Sequence, residues 1–246
     1  MKILEVKDLY KSYPNKTVSI SNISLNLNDH DIISIIGPSG CGKSTLLSIL
    51  AGITKDYKGT YKYYIKNPKI SYMLQSDTLL PWLTVYENIL LPLKITNTKN
   101  DQINELLKKY HLYDFKDKYP DQLSGGMRQR VSLIRALIIK PDILLLDEPL
   151  SALDYQTRLN IREDILSMIK AENIPTIIVT HDIEEAIYLS NKVYVLSNRP
   201  SNIKNIYDIN IPKNNFKDCK LDPLFNEYFI KIWDDLKWKN IKLYNF

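Results

Sequence analysis

The stretch "IISIIGPSGCGKSTLLSIL" (residues 32–50) fixes the frame for everything else in this chain. An apolar run is followed by a glycine-punctuated loop, then by a second apolar run at helical spacing. That is the order strand, loop, helix, and the loop satisfies G-x-x-x-x-G-K-[ST] with Gly37, Gly42, Lys43 and Ser44. Gly37, Pro38, Ser39, Gly40, Cys41 and Gly42 curl so that successive backbone N–H groups face one point, and the helix N-terminus adds partial positive charge there. The ligand that suits such a cradle is the polyphosphate of a nucleotide. Lys43 is expected on the β- and γ-phosphates of ATP, Ser44 on Mg²⁺, and Thr45 near the α-phosphate.

A magnesium site needs an acidic element, and "PDILLLDEP" (141–149) provides one. Four apolar residues read as a buried strand delivering Asp147 and Glu148 to its carboxyl end, where open α/β sheets bind ligands. Asp147 is expected on Mg²⁺. Glu148, one residue on, suits a base that polarises the attacking water. Two more polar residues end apolar strands. Gln75, after "KISYML", reads either as a surface amide or as a contact to Mg²⁺ or the lytic water. His181, after "TIIVT", reads either as structural or as a donor to the γ-phosphate. Tyr13 in "YKSYP" is placed to stack on an adenine, although the chain holds 17 tyrosines.

A second glycine cluster lies far away in "QLSGGMRQRVSLIRAL" (122–137). Gly125 and Gly126 open a segment with helical periodicity, and such a corner offers bare N–H groups to an anion. Outside these motifs, residues 2–7, 17–27, 31–36, 60–65 and 69–74 read as strands. Residues 84–140 lose that character: "NDQINELLKKYHLYDF" (100–115) has apolar residues at helical spacing, and 126–139 is helical. From 142 the pattern alternates: strand 143–147, helix 155–172, strand 176–180, helix 182–189, strand 192–197. Alternation of this kind predicts a mostly parallel sheet with helices on both faces. The tail at 205–246 contains an amphipathic segment, "LDPLFNEYFIKIWDDLKW".

With 246 residues at 44% hydrophobic, the chain is long enough to bury a substantial core. No run approaches the roughly 20 apolar residues that span a bilayer, and the N-terminus lacks the form of a signal peptide. The expectation is a soluble cytoplasmic chain in which Cys41 and Cys219 stay free thiols. The net charge of +5 is mild, without a basic block or an arginine-rich helix, so nucleic acid is not an expected partner.

Together these pieces resemble the ATP-binding cassette ATPases from Lys7 to about Pro200. Tyr13 matches the aromatic A-loop residue, 37–45 Walker A, Gln75 the Q-loop, "LSGGM" (123–127) the signature and "ILLLDEP" Walker B. "SALD" (151–154) matches the D-loop, and His181 the switch histidine. The resemblance implies an α/β fold: a P-loop NTPase (RecA-like) core with an N-terminal antiparallel β region and an inserted helical subdomain. Residues 1–84 and 141–246 would form the nucleotide-binding core and tail, and 85–140 the helical subdomain. It also implies a head-to-tail dimer with a second copy, in which Ser124, Gly125 and Gly126 cap the γ-phosphate of the other subunit's ATP.

"LLPWLTVYENI" (79–89) and "VTHDIEEAIYLSNKVYVLSNRP" (179–200) look like the ATPases of nitrate, taurine and aliphatic-sulfonate importers, to which carriers of thiamine-precursor pyrimidines are related. Met127 fits that subgroup. The short interval between Walker A and Gln75, and the glycine-free turn "NDHD" (28–31), depart from it. The function implied is the ATPase of an importer at the cytoplasmic face of the cell membrane. It would drive a separate permease served by an extracytoplasmic solute-binding protein. Exporter and lipid-extrusion ATPases share the same chemistry. Non-transport relatives carry a coiled coil or a second cassette, neither of which is here. Leu79, Leu80, Trp82 and Leu83 are too apolar for a solvated loop, and they read either as the floor of a permease groove or as core of the helical insert.

Overall fold

The structure is a computed structural model that describes residues 1–14, 16–98, 102–151 and 153–237. The chain opens with β1 (Lys2–Ser12), β2 (Val18–Asn28), β3 (Ile32–Ile36), α1 (Lys43–Leu50), β4 (Lys58–Tyr63) and β5 (Ile70–Met73). Then come α2 (Val85–Ile95), α3 (Ile103–Lys109), two 3-10 turns (Tyr113–Phe115 and Pro120–Gln122) and α4 (Gly125–Leu137). The remainder is β6 (Ile143–Asp147), α5 (Tyr155–Glu172), β7 (Thr176–Thr180), α6 (Ile183–Leu189), β8 (Lys192–Leu196), β9 (Ile203–Asp208), α7 (Phe216–Leu221) and α8 (Pro223–Leu236). These elements pack as two compact units, one made of Met1–Tyr63 and Ile178–Phe246, the other of Tyr64–Ile177.

In the first unit, β1 pairs antiparallel with both β2 (Val6↔Leu25) and β4 (Val6↔Tyr61), giving the order β2-β1-β4. Along β2, Ile20, Ile23, Leu25 and Leu27 are buried while most residues between them are half-buried or exposed, the pattern of a sheet with one covered face. β1 runs past the expected residue 7 because a register shift at Val6/Leu9, with Asp8 at φ 51°, lets pairing resume beyond it. β3 and β8 pair in parallel (Ile33↔Lys192 to Ile36↔Val195), and β3 is buried along its whole length. Such strands read as continuous apolar runs because both faces are covered.

β9 closes this sheet antiparallel to β8, with Leu196 opposite Ile203. The sequence reading missed it, since "IKNIYD" is exposed or half-buried throughout and carries no alternation signal. The amphipathic segment of the tail forms α8, and a short helix that was not expected, α7, precedes it. Asp222 accepts from Leu224 N at 2.9 Å and Pro223 stands at the first helical position, so α8 starts afresh after α7. Trp238, the last residue of the quoted amphipathic segment, lies outside the described residues.

In the second unit, β5 and β6 pair in parallel, with Met73 beside Leu146. α2 begins at a reciprocal cap in which Thr84 and Glu87 satisfy each other's backbone N–H groups. α4 packs against α2, α5 and β5. Asp154 caps α5, and Asn173, at φ 54°, ends it. The helices expected within 84–140 all belong to this unit. Asn100 and Asp101, which open one of those expected helices, and Ala152 of the D-loop stretch lie outside the described residues. Among the described residues, no helix is long and apolar enough to cross a membrane.

Candidate nucleotide site

The first unit carries the phosphate loop. β3 leads into it and α1 leaves it at Lys43. Gly42, at φ 115°, caps α1 in a conformation that suits glycine, and a side chain there would meet Ser19 Oγ at 2.6 Å. Lys43 is buried and donates to the carbonyls of Gly37 (2.8 Å) and Pro38 (3.1 Å), so its ammonium sits inside the loop it is expected to serve. Tyr13 and Thr45 share a hydrogen bond of 3.0 Å between their hydroxyls. The loop region thus holds its tyrosine at the helix that follows. His181 lies exposed at the carboxyl end of β7.

Cys41 points inward and is only 1% exposed. Burial pushes its thiol above the ordinary range, and the charges of Lys43 and Arg199 pull the other way. Arg199 was invisible as a site residue in the sequence. Its guanidinium donates to the Gly40 carbonyl, through Nε at 2.9 Å and through Nη2 as well. Ser201 braces the same region from behind, bonding backbone to backbone with Ser19 and Ser21. No local signal in "SNRP" points to the loop, because the contact joins residues 159 positions apart.

The second unit carries the acidic strand, Gln75 and the Ser-Gly-Gly corner. β6 is buried throughout and ends at Asp147, which is 4% exposed and accepts from Tyr72 Oη at 3.1 Å. Burial, then the nearby Asp147 charge, push the Tyr72 hydroxyl far up, so it stays a donor to an anionic carboxylate. Glu148 follows at φ 46°, left-handed backbone that a glutamate adopts only under constraint, and such strain gathers at functional sites. Gln75 is exposed, and its Nε2 donates to Glu148 Oε2 at 3.2 Å. Gln75 and Glu148 therefore meet.

Ser124 caps α4, accepting from Met127 N at 3.3 Å. Gly125 and Gly126 form the first helical turn, whose N–H groups have no partner within the helix. Gly126 has a second reason to lack a side chain: a Cβ there would lie 2.7 Å from Thr157 Cγ2 of α5. The sequence reading expected only an anion-facing role for this glycine and did not foresee the contact with Thr157.

Among the described residues, no group of three or more His, Cys, Asp or Glu side chains forms a metal cage. In the second unit the amide oxygen of Gln75 and the carboxylate of Asp147, and in the first the hydroxyl of Ser44, are each hard oxygen donors of the kind Mg²⁺ takes. Asp147, 4% exposed and accepting from Tyr72 Oη, is a carboxylate held in place, which is what such an ion would need.

A strand–loop–helix phosphate cradle and a strand that delivers paired carboxylates define this protein as a P-loop ATPase. The family model described as ABC transporter matches residues 20–151. An uncharacterised ABC transporter ATP-binding protein, YtlC of Bacillus subtilis, is 41% identical over 94% of this chain and 93% of its own length. The aliphatic sulfonates import ATP-binding protein SsuB of Bacillus cereus is 40% identical over 82% of this chain and 84% of its own. A solved dimeric ATP-binding cassette in a post-hydrolysis state, bound to ADP and Pi, superposes with a TM-score of 0.72 at 28% identity, covering 85% of this chain and 99% of that one. The chain belongs to the ABC transporter family. Within it, this is an ATP-binding subunit that hydrolyses ATP.

Proposed function

We propose that this subunit energises an importer, working as a head-to-tail homodimer at the cytoplasmic face of the cell membrane beneath a separate permease. The solute is a small nitrate-, sulfonate- or taurine-like anion, or a thiamine-precursor pyrimidine, delivered by an extracytoplasmic binding protein. Support for the solute class comes from SsuB of Bacillus cereus, named for aliphatic sulfonate import. ATP is held at Tyr13 and at Gly37, Pro38, Ser39, Gly40, Cys41, Gly42, Lys43, Ser44 and Thr45. Ser124, Gly125 and Gly126 cap the ATP of the second copy.

Lys43 neutralises charge on the β- and γ-phosphates, and His181 donates to the γ-phosphate. Glu148 orients the water for in-line attack at the γ-phosphorus, helped by Gln75. Ser44, Gln75 and Asp147 would hold Mg²⁺, which supplies charge neutralisation across the phosphates. The permease completes the assembly.

One observation carries the permease reading. Trp82 is 69% exposed, so it does not pack into the core of its own unit. The loop bearing it is nonetheless fixed. Asn88, fully buried, donates to the carbonyls of Leu80 (3.1 Å), Leu83 (3.0 Å) and Thr84 (3.0 Å) and accepts from Leu80 N at 2.8 Å. Beside it runs a groove of about 350 Å³, lined among others by Met73, Leu80, Leu91, Pro92 and Ile95. An exposed tryptophan on a rigidly held loop, whose Leu80 lines that part-apolar groove, is the form of a binding hot spot. A short amphipathic helix of the permease fits it.

The test is uptake of labelled solute by cells lacking this gene, complemented with the wild type or with Trp82→Ala. Wild type is expected to restore inward accumulation. Trp82→Ala is expected to lose both uptake and co-purification with the permease while its nucleotide affinity stays within about twofold. Outward transport, or a Trp82→Ala subunit that still co-purifies and supports uptake, would contradict the proposal.

A further inference from the structure

Arg128 joins the two functional corners of the second unit. Its Nε donates to Asp77 Oδ2 at 2.9 Å, two residues after Gln75. Its Nη1 donates to the Leu123 carbonyl at 2.9 Å, one residue before Ser124. The same helix grips the Gln75 segment through two more residues. Ser132 Oγ and Arg135 Nη2 donate to the Asp77 carbonyl at 2.8 and 2.9 Å, and Arg135 Nη1 donates to the Thr78 carbonyl at 2.9 Å. On the other side Gln129, buried, donates to the Pro149 carbonyl, one residue beyond Glu148. α4 therefore holds the backbone on either side of the Gln75–Glu148 hydrogen bond, and Arg128 alone of these residues also holds the leading edge of the Ser124 corner.

We infer that Arg128 is a positioning residue that registers the Gln75 segment against the signature corner of the same chain. Through it, the placement of Gln75 in a subunit's own site governs how well that subunit presents Ser124 and Gly125 to the second copy's ATP. This rests on the head-to-tail dimer proposed above. The physical requirement is a fork. Arg128 reaches its two acceptors from two nitrogens, Nε and Nη1, held in one rigid plane, whereas a lysine's single nitrogen serves two acceptors only where they converge on one point, as the carbonyls of Gly37 and Pro38 do on Lys43. Coupling of this kind is reciprocal, so ATP bound across the dimer also steadies Asp77. Arg128 and Asp77 retain 36% and 30% side-chain exposure, and a pair screened to that degree gives an effect of about threefold to fivefold.

The experiment uses the full chain carrying Glu148→Gln, in which slow hydrolysis lets ATP-bound dimers accumulate. The ATP concentration giving half-maximal dimer is read by size exclusion with light scattering. ATP affinity of the dilute monomer is read separately with a fluorescent analogue. Arg128→Gln, Arg128→Lys and Asp77→Asn are each expected to raise the dimerisation midpoint at least about threefold, with monomer affinity within about twofold. The Asp77→Asn, Arg128→Gln double variant is expected to shift it no further than the worse single, since both remove one link. Full rescue by Arg128→Lys would overturn the proposal, because a fork would then be unnecessary, and so would an unchanged midpoint in Asp77→Asn. Asp77→Asn keeps the side-chain shape and decides the matter if Arg128→Gln fails to fold. If Glu148→Gln alone forms no ATP-dependent dimer, the head-to-tail reading falls and takes this inference with it.

Discussion

Replacing Asn88 by leucine keeps the number and branching of side-chain heavy atoms and removes every side-chain hydrogen bond that shapes the Trp82 loop. Four are lost, but not all leave orphans. The Leu80 carbonyl still accepts from Leu83 N at 3.1 Å, and the Thr84 carbonyl still accepts from the backbone N–H of residue 88 at 2.9 Å. Two groups lose their partner: Leu80 N, which donates to Asn88 Oδ1, and the Leu83 carbonyl. A buried unsatisfied backbone group costs about 1–3 kcal/mol. Leu80 and Leu83 are half-buried, so water recovers part of that cost, and the expected loss is about 2–3 kcal/mol. Urea unfolding with linear extrapolation measures it, and the slope should not change. Trp82→Ala, 69% exposed, is expected to cost within about 0.5 kcal/mol in the same assay. The order is the reverse of what hydrophobicity alone suggests. A loss below about 0.5 kcal/mol for Asn88→Leu would refute the claim that this amide, and not the apolar side chains, fixes the loop.

Gly126→Ala places a methyl 2.7 Å from Thr157 Cγ2, and overpacking of that kind is expected to cost about 1–3 kcal/mol, with Thr157→Ser recovering part of it in the same unfolding assay. Both free thiols are buried, so a thiol-reactive dye should find no fast-reacting group in the native protein and two after denaturation; one fast thiol without denaturant would place Cys41 or Cys219 elsewhere.

The parts legible in the sequence were those whose signal is local. Strand 143–147, helix 155–172 and strand 176–180 stand at the residues expected, because fully buried strands read as unbroken apolar runs and Asp154 and Asn173 punctuate the helix between them. The phosphate loop was equally plain, since its glycines answer to backbone shape. What the sequence concealed lies in long-range side-chain contacts. Arg199 on Gly40, Tyr72 on Asp147 and Arg128 on Asp77 each join residues dozens of positions apart, and none has a periodic signature. Asn88 was hidden for a different reason. It is a polar residue inside an apolar helix turn, and only the carbonyls converging on it explain its presence.

The central claim, that two copies share two composite ATP sites, is tested most directly by a mixed dimer in which one subunit carries Lys43→Ala and the other Ser124→Arg. Both defects then fall in one site, and the other combines an intact phosphate loop with an intact signature. Equilibrium binding of labelled ATP should give one tight site per mixed dimer, whereas each parent homodimer should give two weakened sites. Two equally impaired sites in the mixed dimer would contradict the account.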